Sequence, residues 1–238
     1  MALAGLLSWR RAGANELILH QTLATRLARD ADALRTAIAE HEGMFPHDPP
    51  DQVRLVQLAQ QLEAANALAP GDYVELGVLF GQTLKFIHRY VDPVRVLYGF
   101  DTFTGFDSRD IAIERGIYPC HWRAGNFKQT SVVKVTEYLG NPANLKLVAG
   151  WFPASFEPFE HLRWRFAHID MDLYAPTRSA LHALWPGMVP GGVIMLHDYG
   201  CESFRVRLAV DEFCRYVVGT PAIELADRYS TAVIRKPW

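Results

Sequence analysis

Two short runs in the C-terminal half of the chain concentrate side chains that can do chemistry: His168-Ile169-Asp170-Met171-Asp172-Leu173-Tyr174 and Leu196-His197-Asp198-Tyr199-Gly200. Each extends an apolar stretch of strand length. If those stretches are neighbouring parallel strands, Asp170, Asp172, His197 and Asp198 surround one crevice beyond their carboxyl ends, where open α/β sheets bind ligands. Three carboxylates that close repel one another unless protons or a cation compensate. Hard oxygen donors with an open position suit Mg²⁺ or Ca²⁺. The same residues also read without a metal, one aspartate capping the next helix and another pairing with an arginine such as Arg178.

An earlier run, Glu75-Leu76-Gly77-Val78-Leu79-Phe80-Gly81-Gln82-Thr83, has the form of a strand end turning into a helix. Gly77 permits a tight turn and Gly81 a close backbone approach. A dinucleotide fingerprint asks for glycine where this chain has Leu79, which weakens a pyrophosphate-cradling reading. Asp101 ends the next strand, 26 residues after Glu75, the distance at which a carboxylate meets the two hydroxyls of an adenosine ribose. Glu75 would then face the other end of the ligand, where an acid suits a cationic amino group. Acids at both strand ends, with one loop glycine missing, favour S-adenosylmethionine over NAD. A capping Asp101 and a solvated Glu75 form the plain structural alternative.

These residues need a sheet to position them. After Gly71 short apolar runs alternate with helix-length segments: Tyr73 to Leu76, Val96 to Phe100, Leu145 to Val148, Phe166 to Ile169 and Val193 to Leu196. That pattern indicates βαβ units and a parallel sheet covered on both faces. Ala222 to Leu225 and Thr231 to Ile234 are close enough in sequence to pair antiparallel at one edge. The expected fold is α/β, a doubly wound, seven-stranded, mostly parallel sheet with N-terminal helices. Pro190-Gly191-Gly192 reads as the turn into the fifth strand. Leu19, Leu23, Leu27, Ala31, Leu34 and Ile38 mark one face of a long helix, and three prolines between Phe45 and Pro50 separate it from the remainder of the chain. Residues 1–50 are therefore expected to form a helical arm or lid, and 51–238 the α/β domain. Asp51 can cap a helix directing Val53, Val56, Leu58 and Leu62 to the core.

The chain has 238 residues, 50% hydrophobic and 21% charged, with 24 basic against 26 acidic side chains. Such a length buries on the order of 70% of its unfolded surface without staples. The near-neutral balance lacks the basic footprint of a nucleic-acid binder. Cys120, Cys201 and Cys214 are odd in number and form no zinc-ligand spacing, which reads as a reducing, cytoplasmic compartment. The apolar opening precedes Arg10 and Arg11, the reverse of a secretory leader, and no apolar run approaches the roughly 20 residues that span a bilayer.

Tyr73 to Gly81, Gly99-Phe-Asp-Thr-Phe-Thr-Gly105, Ala149-Gly-Trp-Phe-Pro153, Ile169 to Tyr174, Pro190-Gly-Gly192 and His197 to Gly200, in that order, resemble the macrocin O-methyltransferase family. The resemblance covers roughly residues 52 to 235. It implies a class I fold that transfers a methyl group from S-adenosylmethionine to a hydroxyl of a small sugar or natural-product acceptor. It also implies a divalent cation, usually Mg²⁺, at Asp172, His197 and Asp198, with histidine standing where the family has aspartate. Imidazole is a poorer Mg²⁺ ligand than carboxylate and suits transition metals better. The resemblance assigns Glu75, Leu76, Gly77, Gly81, Gln82 and Thr83 to the methionine end of the cofactor, Asp101 and Thr102 to its ribose, Gly150 and Trp151 to its adenine, and Asp170 to its amino acid portion.

Asp172 is the expected base, with His197 the second choice. Trp151 reads equally as core, and His121 and Trp122 as acceptor-facing or as surface. The expected partners are a hydroxylated small molecule and a second copy of the chain. An NAD-dependent oxidoreductase and a non-catalytic cofactor-binding module are the rival readings.

Overall fold

Residues 52–225, 227 and 230–238 are described by the computed structural model of the chain; the expected long N-terminal helix, the expected arm over 1–50 and the expected cap at Asp51 fall outside them. Helix α1 (Gln52–Asn66) turns Arg54, Leu55, Leu58, Ala59, Leu62 and Ala65 inward. Val56, expected in the core, is only half-buried, because the inward stripe runs one residue earlier in register.

The strands are β1 (Asp72–Leu76), β2 (Leu97–Asp101), β3 (Leu145–Ala149), β4 (Trp164–Ile169), β5 (Met188–Leu196), β6 (Ile223–Glu224) and β7 (Ala232–Arg235). They form one seven-stranded sheet in the order β3-β2-β1-β4-β5-β7-β6. Strands β1 to β5 pair parallel, and β7 pairs antiparallel with both β5 and β6. Every residue of β4 is buried, as expected of a central strand covered on both faces. Phe100, Ile169, Ala167, Ile194 and Leu196 share a core with Ala180, Leu184, Val210 and Phe213 of α5 (Tyr174–Leu184) and α6 (Val206–Phe213). On the other face, α1 packs over β4 and β5.

The order reverses between β1 and β4, so the crevice opens at their carboxyl ends. Register then fixes what stands there. Leu76, Ile169 and Leu196 lie abreast. One residue later the Asp170 N–H donates to the Leu76 carbonyl at 2.8 Å and the His197 N–H to the Ile169 carbonyl at 2.9 Å.

The expected turn at Pro190-Gly191-Gly192 is instead part of β5. Its partners on β4 jump from Trp164↔Met188 to Phe166↔Val193, and the extra residues bulge towards the tail. There the Gly191 N–H donates to the Lys236 carbonyl at 2.9 Å and the Lys236 N–H to the Gly192 carbonyl at 2.8 Å.

The remaining helices are α2 (Gln82–His88), α3 (Ser108–Ile117) and α4 (Val132–Leu139). Asp107 caps α3 by accepting the Arg109 N–H at 2.9 Å. Glu114 of α3, 2% exposed, caps α5 by accepting the Tyr174 N–H at 2.9 Å. This bond ties the segment after β2 to the segment after β4. No helix among the described residues is long and apolar enough to cross a membrane.

Candidate active site

At the mouth of the crevice His197 Nδ1 lies 3.2 Å from Asp170 Oδ1 and 3.1 Å from Asp198 Oδ2. Burial alone lowers the imidazole pKa, but the charges of Asp170 and Asp198 reverse this and raise it to about 10. Asp170 is affected in the opposite sense: burial raises its pKa, and the His197 charge outweighs this and holds the carboxyl well below the usual range.

Two residues after Asp170 the chain leaves the sheet abruptly. The Leu173 N–H donates to the Met171 carbonyl at 2.6 Å across Asp172, whose φ is 61°. This is a γ-turn of the rare, strained hand. It carries the Asp172 carboxyl to a hydrogen bond with Asp198, and burial, then the charges of Asp170 and Asp198, raise its pKa well above the usual carboxylate range. Asp198 itself sits at φ 57°.

A cation would find donors here. One atom each of Asp170, His197 and Asp198 lies within 4.8 Å of the others. Neighbouring ligands of a six-coordinate ion at about 2.1 Å stand about 3.0 Å apart, close to the two imidazole–carboxylate separations of 3.2 and 3.1 Å. The donor set fits a divalent ion. The grouped donors are Asp170, His197 and Asp198, with Asp172 beside them through its hydrogen bond to Asp198.

The loop after β1 keeps a glycine-loop backbone without its middle glycine: φ is 88° at Gly77, 50° at Leu79 and 85° at Gly81. Asp101 holds it. Asp101 Oδ2 accepts the Val78 and Leu79 N–H groups, both at 2.9 Å, and Oδ1 accepts the Phe103 N–H at 2.7 Å. The Thr130 hydroxyl donates to the Leu79 carbonyl. A carboxylate has about four acceptor sites, and three of those of Asp101 are taken by these backbone N–H groups. One site on Oδ1 remains.

Glu75 is 1% exposed, with Oε1 3.0 Å from Nδ1 of the fully buried His168. Burial, then the Asp170 charge, raises the Glu75 pKa well above its usual range, and burial lowers that of His168 to about 3. The pair is a hydrogen bond within the core. Beyond β3 the Gly150 N–H donates to the Asp101 carbonyl at 2.9 Å. The Trp151 indole N–H donates to Asp110 Oδ2 at 3.0 Å, and the Arg109 guanidinium lies 3.7 Å over the Trp151 ring. Burial raises the Asp110 pKa to about 6 against the pull of the Trp151 bond.

A profile of the macrocin O-methyltransferase (TylF) family matches residues 19–231. The chain belongs to the macrocin O-methyltransferase family. A 4'-O-methyltransferase of Streptomyces olivaceus acting on 8-demethyl-8-(2,3-dimethoxy-alpha-L-rhamnosyl)-tetracenomycin C is 26% identical over 173 residues, 66% of this chain and 63% of that relative's length. The fold is similar to that of the O-methyltransferase NovP, with a TM-score of 0.63 at 22% identity over 81% of this chain and 83% of the other. It is also similar to the calicheamicin methyltransferase CalS11, with a TM-score of 0.61 at 21% identity over 96% and 95% of the two chains.

Within this macrocin O-methyltransferase family fold, the residues expected at the site separate into two sets. Gly77, Asp170, Asp172, His197 and Asp198 meet at the ends of β1, β4 and β5. Gly81, Gln82 and Thr83 open α2, and Gly150 and Trp151 follow β3. Leu76 is fully buried, leaving only its backbone towards the crevice, and Glu75 is also buried. The Thr102 hydroxyl closes its own loop on the Gly105 carbonyl at 2.7 Å. Trp122 is neither bare surface nor free platform. It stacks on Phe204 at 5.2 Å, and its indole N–H donates to the Ser203 carbonyl at 3.3 Å, joining the loop before α4 to the loop after β5. His121 is exposed.

Two residues escaped the sequence reading. His168 looked like an ordinary strand residue. Arg54 is 5% exposed, and its charge acts on Glu75, His168, Asp170 and His197. Its spacing of four from Leu58 and eight from Leu62 was the available signal of an inward-facing cation.

Proposed function

We propose that the chain is an S-adenosylmethionine-dependent O-methyltransferase acting on a hydroxyl of a small sugar or natural-product acceptor, assisted by a divalent cation and assembled as a homo-oligomer. The observation that carries the reading is the alignment of the β1, β4 and β5 ends, which sets Gly77, Asp170 and His197 side by side with Asp172 and Asp198 next to them. Family membership supports the reaction class, and the tetracenomycin relative supports a sugar hydroxyl as acceptor.

S-adenosylmethionine brings a methyl group already activated by its sulfonium charge. Gly77, Gly81, Gln82 and Thr83 would hold its methionine end, with Asp101 and Thr102 near the ribose, and Gly150 and Trp151 near the adenine. Asp170, His197 and Asp198 would hold the cation, which when bound supplies Lewis-acid activation of the acceptor hydroxyl. Asp172 takes the hydroxyl proton. Burial and the neighbouring Asp170 and Asp198 charges raise its affinity for a proton, which favours proton uptake. The γ-turn fixes the direction from which that proton is received, so much of the catalysis is positioning.

An NAD oxidoreductase is disfavoured by the same loop. The Val78 and Leu79 N–H groups that would cradle a pyrophosphate are taken by Asp101. The test is a calorimetric titration with S-adenosylmethionine and with NAD, followed by labelled-methyl transfer over a panel of hydroxylated glycosides and phenols. Binding of NAD alone, cofactor binding with no labelled product, or labelled product formed equally well by Asp172→Asn would overturn the proposal.

A further inference from the structure

We propose that His197 makes this cation site selective for a borderline transition ion of the Mn²⁺, Fe²⁺ or Co²⁺ type over Mg²⁺. The inference rests on the methyltransferase reading above and concerns which ion this particular donor set takes.

The ligands at hand are two carboxylate oxygens and one imidazole nitrogen. The nitrogen is a fixed member of the set. The His197 backbone is pinned to β4 by its N–H bond to the Ile169 carbonyl at 2.9 Å. Its side chain is 14% exposed and faces both carboxylates, at 3.2 and 3.1 Å. Asp172 is engaged with Asp198 and Glu75 with His168, and neither belongs to the group of atoms within 4.8 Å of one another. An ion entering here must therefore accept nitrogen.

Mg²⁺ depends on hard, charged oxygen and gains little from imidazole, whereas first-row transition ions bind imidazole well and rank above it for nitrogen donors. Replacing a third carboxylate by an imidazole, which sheds its proton when it ligates an ion, also removes one negative charge, which weakens a purely electrostatic site most. Ca²⁺ is a poor candidate, since it asks for six to eight oxygens at longer distances.

The experiment uses the full chain stripped of metal by chelation and dialysis. MgCl₂, MnCl₂ and CoCl₂ are titrated calorimetrically, with and without S-adenosylhomocysteine, and the Co²⁺ form is followed by its visible absorption. Oxygen-only sites also favour Co²⁺ to a degree, so the diagnostic quantity is the Co²⁺-to-Mg²⁺ affinity ratio of wild type against His197→Asp. One ion per chain, a ratio at least tenfold larger in wild type, and a shift of the Co²⁺ bands on His197→Asp are the expected results.

Equal ratios in the two proteins, tighter Mg²⁺ than Mn²⁺ in wild type, or no ion bound by wild type at millimolar concentration would each overturn the inference. Should His197→Asp fail to fold, His197→Gln is measured instead; it supplies a neutral oxygen and is expected to lose Co²⁺ affinity at least tenfold. Binding of S-adenosylhomocysteine is read separately. Cofactor binding without the ion preference defeats this inference alone, and absence of cofactor binding defeats the functional reading itself.

Discussion

Replacing Gly77 by alanine should damage both the fold and the site, and the two effects can be separated. A Cβ at this position would stand 1.8 Å from the Asp170 carbonyl oxygen and 2.6 Å from its carbon. Parting the atoms to the 3.0 Å that real Cβ contacts respect displaces the β1 loop from Asp170 by about 1.2 Å. The φ of 88° adds the left-handed strain of an L-residue, about 1–2 kcal/mol. Losing the Asp170 N–H bond to Leu76 adds about 1 kcal/mol. Gly140, at φ 75° with nothing within 4 Å of its Cβ, carries the strain without the collision and is the control.

Gly77→Ala should therefore lose about 2–3 kcal/mol, against about 1–2 kcal/mol for Gly140→Ala. In urea the Gly77 variant should unfold earlier by roughly 1 M or more. A displacement of about 1 Å in a reacting geometry costs about 100-fold in rate, so methyl transfer should fall by that order in Gly77→Ala and stay near wild type in Gly140→Ala. Equal urea midpoints and equal S-adenosylhomocysteine affinities in the two variants would refute the reasoning.

Asp101→Asn should lower the melting temperature by an amount corresponding to about 2 kcal/mol, because one of the oxygens that receive backbone N–H groups becomes a donor; differential scanning calorimetry checks it. His168, its pKa lowered to about 3 chiefly by burial, should keep neutral ring resonances from pH 8 to 5 in a nitrogen-detected titration. The unfolded chain accepts that proton near 6.5. The contribution of His168 to stability is therefore full above this pH and is lost as pH falls towards 3. Trp122→Ala should cut the tie between the two loops it joins and speed tryptic cleavage at Arg123 and Arg205 severalfold, with little change in the global urea midpoint.

The sheet was legible because its central strands are apolar runs of fixed length separated by helix-length spacers, a pattern that needs no tertiary knowledge. It became illegible where backbone geometry broke the rule. Pro190-Gly191-Gly192 has the residues of a turn but is drawn into β5 by its bonds to Lys236, forty-odd residues further along the chain. Asp170 and Asp172 share a strand parity, but the γ-turn between Met171 and Leu173 that ends the strand pattern there leaves no mark in the residue types. The bonds of Asp101 were not legible for a related reason: its partners are backbone N–H groups of the β1 loop and of its own loop, which leave no trace in residue types. Arg54 could have been read from helical spacing, whereas Trp122 against Phe204 is a contact between distant loops that composition does not record.

Asp172 occupies the apex of a γ-turn at φ 61°, a backbone that glycine would adopt more cheaply and asparagine nearly as well as aspartate. A screen of variants for heat resistance alone would therefore tend to enrich Asp172→Gly and retain Asp172→Asn, both of which discard the carboxyl proposed to receive the acceptor's proton. Protein engineers who select for robustness would erode turnover at the position where they least expect it. A library that holds residues 170–173 constant, and looks for stabilisation at the far edge of the sheet around β6 and β7, avoids that outcome.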